Sequence, residues 1–175
     1  VPDEVGGGRA AVEVLLAKGH RRIGYVNNVD SIPATHGRLQ GYRDALTAHG
    51  VEYEPDLVVC GPSNARGGYD STLTLMQRPN RPTALFCFND RMAMGAYDAL
   101  RKLGLGIPED VALVGFDNQD SLAEALHPGL STMQLPHFEM GQWAINYLIA
   151  HSEDDTQAPV HALSPCPYVE RESAG

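Results

Sequence analysis

The chain has 175 residues, 43% hydrophobic and 20% charged, enough for one domain with a buried core. Its 22 Asp and Glu outweigh 13 Lys and Arg, for a formal charge of −9, and it holds no basic run or zinc-finger spacing, which makes it a poor candidate for gripping a phosphate backbone itself. No apolar run approaches the length of a membrane-spanning helix.

The opening VPDEVGGGRA has no apolar signal-peptide core and no Met, and is expected to belong to a longer chain whose preceding strand lies upstream. The spacing then predicts a helix near 6–18, with Ala10, Ala11, Val14 and Leu15 on one side and Gly19 as its stop. A strand follows at 22–27, then a helix at about 35–49 with Leu39, Tyr42 and Leu46 on one face and Gly50 past its end. A strand at about 56–60, a helix at 66–77, a strand at 84–88, a helix at 91–103 and a strand at 111–116 continue the alternation. STMQLP at 131–136 reads as a short strand, 137–151 as a helix, HSEDDTQAP as an acidic loop, and the tail as short extended pieces broken by proline. Strands alternating with helices predict βαβ units and a parallel sheet, and the strands' continuous apolar runs predict helices on both of its faces. Cys60, Cys87 and Cys166 are read as free thiols of a reducing compartment, the first two inside strands.

Three of these strands end in polar residues: YVNN brings Asn27, CFND brings Asn89 and Asp90, and GFDN brings Asp117. In an open parallel sheet, ligands bind beyond the carboxyl ends of the strands, so Asn27, Asn89 and Asp117 share the functional edge. Helix capping is the simpler account of any one of them, since Asn89 or Asp90 can cap the helix that follows. Three at one edge point to a polar ligand site. Arg38, in the first turns of the helix after YVNN, is placed near the same crevice, where a guanidinium can bond hydroxyls or a carboxylate; a plain surface arginine is the alternative.

Other signals are weak. The sequence has no G-x-S-x-G, H-E-x-x-H or phosphate-loop pattern, and Gly6–Gly8 is read as flexibility at a helix start. The histidines, among them His20, His36 and His137, have no metal spacing, the EDD at 153–155 reads as a solvated loop, and Met92, Met94 and Met140 read as core filler. With no nucleophile–base pair visible, an enzyme using Asp90, Asp117 and His36 is disfavoured, and no cofactor or metal is expected.

GHRRIGYV, GRLQGY, the run from ALFCFNDRMAMG through VALVGFDN, HPGLSTMQLPHFEMGQWAINYLI and the terminal VERES together resemble the lactose-repressor (LacI/GalR) family of bacterial transcription regulators, over nearly the whole chain. The resemblance implies a periplasmic-binding-protein-like, Rossmann-like α/β core of two lobes around an effector cleft. Residues 1–132 would form most of the C-terminal subdomain, 133–159 the crossover and helix returning to the N-terminal subdomain, and 160–175 the C-terminal strand segment. The DNA-binding head and most of the first lobe would lie outside this sequence.

By the same resemblance, Arg38, Asn89 and Asp117 match effector-binding positions, and Asn27, Phe88 and Ser63 fall on the same wall. Ser63 stands near where an aromatic platform is common, Gln134 is displaced from the family's Gln-Pro pair to precede Leu135-Pro136, and Ile32 and Ala34 replace residues that are polar in purine-binding members. A sugar or small polyol is therefore the expected effector.

The function implied is effector sensing in a cytoplasmic, homodimeric regulator, in which ligand closes the cleft and alters operator binding through the head. A periplasmic sugar-binding protein of a transporter is the alternative. The helix at 137–151, whose apolar face includes Met140, Ala144 and Leu148 with Phe138, Ile145 and Ile149 nearby, would pack partly on the other lobe; alone, it is expected to be exposed, displaced or covered by another copy.

Overall fold

A computed structural model describes residues 1–151 and 160–175, with only the backbone at Asp120. The acidic loop read from the sequence lies, apart from His151, outside the described residues. The elements run α1 (Glu4–Ala17), β1 (Ile23–Asn28), α2 (Pro33–Ala48), β2 (Val58–Gly61), α3 (Ala65–Met76), β3 (Ala84–Cys87), α4 (Asp90–Lys102), β4 (Ala112–Asp117), α5 (Asp120–Ala123), β5 (Thr132–Gln134), α6 (His137–Ala150) and β6 (Tyr168–Val169).

The strands form one sheet in the order β2-β1-β3-β4-β5-β6. β1 to β5 run parallel, and β6 closes the edge antiparallel to β5 through Thr132–Val169 and Met133–Tyr168. The chain steps outward from β1 to β2, then back past β1 to β3, so right-handed crossovers put α2 on one face and α3 and α4 on the other. α1 packs on α2, and α3 on α4. Helices on both faces explain why β1 and β3 are buried along their whole length and why both read as continuous apolar runs. Tyr25 of β1 stacks on Phe86 of β3 at 4.7 Å and on Tyr42 of α2 at 5.4 Å, tying α2 to the middle of the sheet.

The structure departs from the sequence reading in informative places. α1 begins at Glu4 because Asp3 caps it, its Oδ1 accepting the Gly6 N–H at 2.8 Å. Gly7 and Gly8 are buried packing positions inside α1, not a flexible start. A Cβ at Gly7 would lie 2.8 Å from the Phe116 ring, and one at Gly8 would lie 2.7 Å from the Arg38 carbonyl oxygen. With Gly41 opposite, these glycines let the α1 and α2 backbones touch. The strand expected at 56–60 starts only at Val58, because Pro55–Leu57 turns as a 3₁₀ helix. The short α5 and the antiparallel pairing of the tail carried no sequence signal.

α6 has no buried residue among those described. Phe138 is 77% exposed, Leu148 63% and Ile145 58%, which meets the expectation that the apolar face of this helix is exposed.

Candidate functional site

Strand ends and helix starts converge at the carboxyl edge of the sheet. β1 delivers Asn27, β3 runs into Phe88 and Asn89, and β4 ends at Asp117. α2 brings Arg38 across from one face, and the capped start of α1 brings Glu4. Arg38 joins these elements. Its Nε donates to Glu4 Oε2 at 2.7 Å, its Nη1 donates to the Phe88 carbonyl oxygen, and Nη1 stands 3.6 Å from Asp117 Oδ1. The guanidinium contacts two rings, 4.5 Å from the Phe88 centroid and 3.6 Å from that of Phe116. Arg38 is thus a buried ion-pair hub, not the surface arginine that spacing alone allows.

Asp117 closes the other side. Its φ of 109° and the 49° of Asn118 put two non-glycine residues in the left-handed region, a conformation that costs free energy and clusters at ligand sites. Three fixings hold the turn. Gln119 N–H donates to Asp90 Oδ2 at 2.8 Å, Gln119 Nε2 donates to Asp117 Oδ2 at 3.3 Å, and Arg171 Nη2 donates to Asn118 Oδ1 at 2.9 Å. Burial pushes the Asp117 carboxyl above its usual pKa, and the Arg38 charge pulls it back.

Asp90 is fully buried and receives the Thr132 hydroxyl at 2.6 Å on Oδ1. Burial raises it to about 6, against the lowering pull of its bonds to Thr132 and Gln119. It ties α4 to β5 and to the turn after β4, while Asn89 is the residue that caps α4, its Oδ1 accepting the Met92 N–H at 2.8 Å. Capping occupies the Asn89 oxygen, while its amide nitrogen is a donor by its chemistry. Asn27 is buried, and its Oδ1 accepts the Asn28 N–H at 2.8 Å. Ser63, half-buried in the loop between β2 and α3, has no hydrogen bond to this network among the described residues.

The structure therefore brings Arg38, Phe88 and Asp117 into direct contact, places Asn27 and Asn89 at the same strand ends, and leaves Ser63 apart. Sequence reasoning missed Glu4, Phe116, Gln119 and Arg171. Glu4 and Arg171 are far from their partners in the chain, and the only local hint of Glu4 was its place at a helix start.

A doubly wound α/β lobe with a polar constellation at the carboxyl edge of its strands is the architecture of solute-binding and effector-binding domains. Residues 12–174 match the periplasmic binding protein-like domain family, and the chain belongs to that family. Its relatives include the HTH-type transcriptional repressor CytR of Escherichia coli, 34% identical over 163 residues that make up 93% of this chain and 48% of the repressor. The ribose operon repressor of E. coli is 39% identical over 144 residues, 82% of this chain and 43% of that protein. This chain thus spans about half the length of the curated relatives it matches.

Among solved structures, the transcriptional regulator CelR in complex with cellobiose superimposes with a TM-score of 0.90 at 35% identity, over 98% of this chain and 52% of that one. A LacI-family regulatory protein from Chloroflexus aggregans gives 0.91 at 34%, over 99% and 62%. A LacI-family regulator from Enterococcus faecium with bound ribose gives 0.88 at 29%, over 99% and 64%.

Proposed function

We propose that this chain is the C-terminal part of the effector-sensing core of a DNA-binding transcriptional regulator, and that its effector is a sugar or small polyol. The observation that carries this reading is the Arg38–Asp117 pair, held 3.6 Å apart at the carboxyl edge of the sheet by a strained, three-way-pinned turn. Its chemistry suits a hydroxylated ligand, because a carboxylate accepts from hydroxyls while a neighbouring guanidinium or amide donates to them. Two structural neighbours carry cellobiose and ribose, and the curated relatives are repressors, which favours a regulator over a transporter's binding protein.

In this reading, residues 1–132 are most of one lobe, 133–159 cross to a second lobe supplied by a longer protein, and 160–175 return to the first. The pairing of β6 with β5 and the exposed apolar face of α6 both support that division. The effector bridges the lobes, biases open against closed forms and so changes the geometry of paired DNA-binding heads in a homodimer. Operator DNA is contacted only by those heads, and the chain performs no catalytic step. A cytoplasmic location follows from that role.

A thermal-shift screen with sugars, polyols and nucleobases tests the reading, on this chain and on a version extended upstream by the second lobe. A sugar or polyol should raise the melting temperature, and Asp117→Asn should abolish the rise. Hits confined to nucleobases, or untouched by the substitution, would refute the assignment.

A further inference from the structure

We propose that Glu4 is a specificity-determining residue of this wall, restricting it to uncharged, hydroxyl-rich ligands and excluding sugar phosphates and sugar acids. The inference rests on the strand ends being an effector wall and adds the ligand's charge class. A lone buried arginine matches phosphate and carboxylate bidentately and would draw anions in. Arg38 is not alone. Glu4 Oε2 sits 2.7 Å from its Nε, and Asp117 Oδ1 sits 3.6 Å from its Nη1. Two carboxylates on one guanidinium leave the trio with a surplus negative charge.

Exposure sharpens the point. The Arg38 side chain is 4% exposed, while those of Glu4 and Asp117 are 18% and 17%. The rings of Phe88 and Phe116 both stack near the guanidinium, and the Phe88 carbonyl takes Nη1. An incoming group therefore meets carboxylate oxygens before it meets the cation. Those oxygens only accept, so a bound ligand must bring donors, as a polyol does. An anion would meet like charge in a partly desolvated site, where screening is weak.

His137 at the start of α6 is a further group acting on Asp117, and two arginines nearby are already engaged. Arg171 is engaged by Asn118, the Leu130 carbonyl and Glu124, and Arg91 lies at the surface against Gln119. A carboxylate at a helix start also gains from the helix dipole, and that would account for Glu4 by itself. The dipole does not account for its reach across to an arginine of α2, 34 residues away in sequence.

Inorganic phosphate is the probe. The ¹⁵N-labelled chain is titrated with phosphate through the millimolar range at constant ionic strength, and the Arg38 Nε–H resonance is followed by NMR. The wild-type signal should show no saturable shift. Glu4→Gln, which keeps an acceptor for Nε but removes the charge, should bind phosphate at Arg38 at least about tenfold more tightly. Glu4→Asp, with the charge kept, should behave as wild type. Saturable binding to wild type, or a folded Glu4→Gln that binds no better, overturns the proposal. If Glu4→Gln does not fold, Glu4→Ala takes its place under the same two outcomes, and saturable phosphate binding by wild type or Glu4→Asp still overturns the proposal. A parallel titration with D-ribose and cellobiose separates this from failure of the wall itself: sugar binding that ignores Asp117→Asn sinks the effector-wall reading, whereas phosphate binding at Arg38 sinks only the role of Glu4.

Discussion

Asp90 offers a direct test of what burial does at this edge of the sheet. Its carboxyl is out of solvent, and burial holds its pKa at about 6 against an ordinary 3.8. Because the folded-state value is the higher one, the folded protein binds more protons than the unfolded chain between these two values. Stability from this group is therefore complete well below about pH 4 and falls as pH rises, until the full amount is lost above about pH 6. The difference corresponds to about 3 kcal/mol. Asp90→Asn removes the ionisation and keeps the shape. The amide oxygen accepts the Gln119 N–H, and the amide nitrogen donates to a Thr132 hydroxyl that turns to accept. Urea unfolding at about pH 4 and about pH 7 should show the wild type losing about 2 kcal/mol more than the variant across that interval, the rest having been lost below about pH 4. Asp117 is shifted in the same direction and is present in both proteins, so its contribution largely cancels apart from its interaction with Asp90. Parallel pH profiles would refute the claim that burial destabilises this carboxylate.

Further outcomes follow from the same contacts. Asn89→Ala should cost about 1 kcal/mol through loss of the α4 cap, whereas Asn89→Ser should retain most of it, as read by chemical denaturation. Gly95→Ala would drive a Cβ into the Ala65 carbonyl oxygen of α3 and should cost about 3 kcal/mol or more by the same measurement. Cys60 is exposed while Cys87 and Cys166 are buried, so a thiol reagent should titrate Cys60 alone in the folded chain and all three in urea. Polar replacement of Phe138, Ile145 and Leu148 on α6 should reduce dye binding and self-association of this chain, by fluorescence and sedimentation, without lowering its melting temperature.

Much of the architecture was legible because the physics that builds it is local. Continuous apolar runs such as ALFC and punctuation by Gly19 and Gly50, each with positive φ, mark a doubly wound sheet to within a residue or two. The polar strand ends were legible for the same reason: Asn27, Asn89 and Asp117 interrupt runs that are otherwise apolar. Contacts between distant parts of the chain were not legible. Gly7 and Gly8 look like a flexible start until Phe116 and the α2 backbone are placed against them. Arg38 could be placed near the crevice from its position after YVNN, with a surface arginine as the alternative, but its burial shows only when Glu4, Phe88 and Asp117 converge on it from three other elements. Asn89 shows that the two accounts of a strand-end residue can both hold, since its oxygen caps a helix while its nitrogen faces no partner among the described residues.

The central claim is that the Arg38–Asp117 wall holds a hydroxylated effector. Its most direct test is isothermal titration of sugars into the two-lobe protein and its Asp117→Asn variant, a substitution that tolerates the left-handed backbone while removing the charge. The account predicts that a neutral sugar binds the wild type and that the variant weakens it by at least about tenfold. Equal affinity in the two proteins would place the ligand elsewhere and contradict the account.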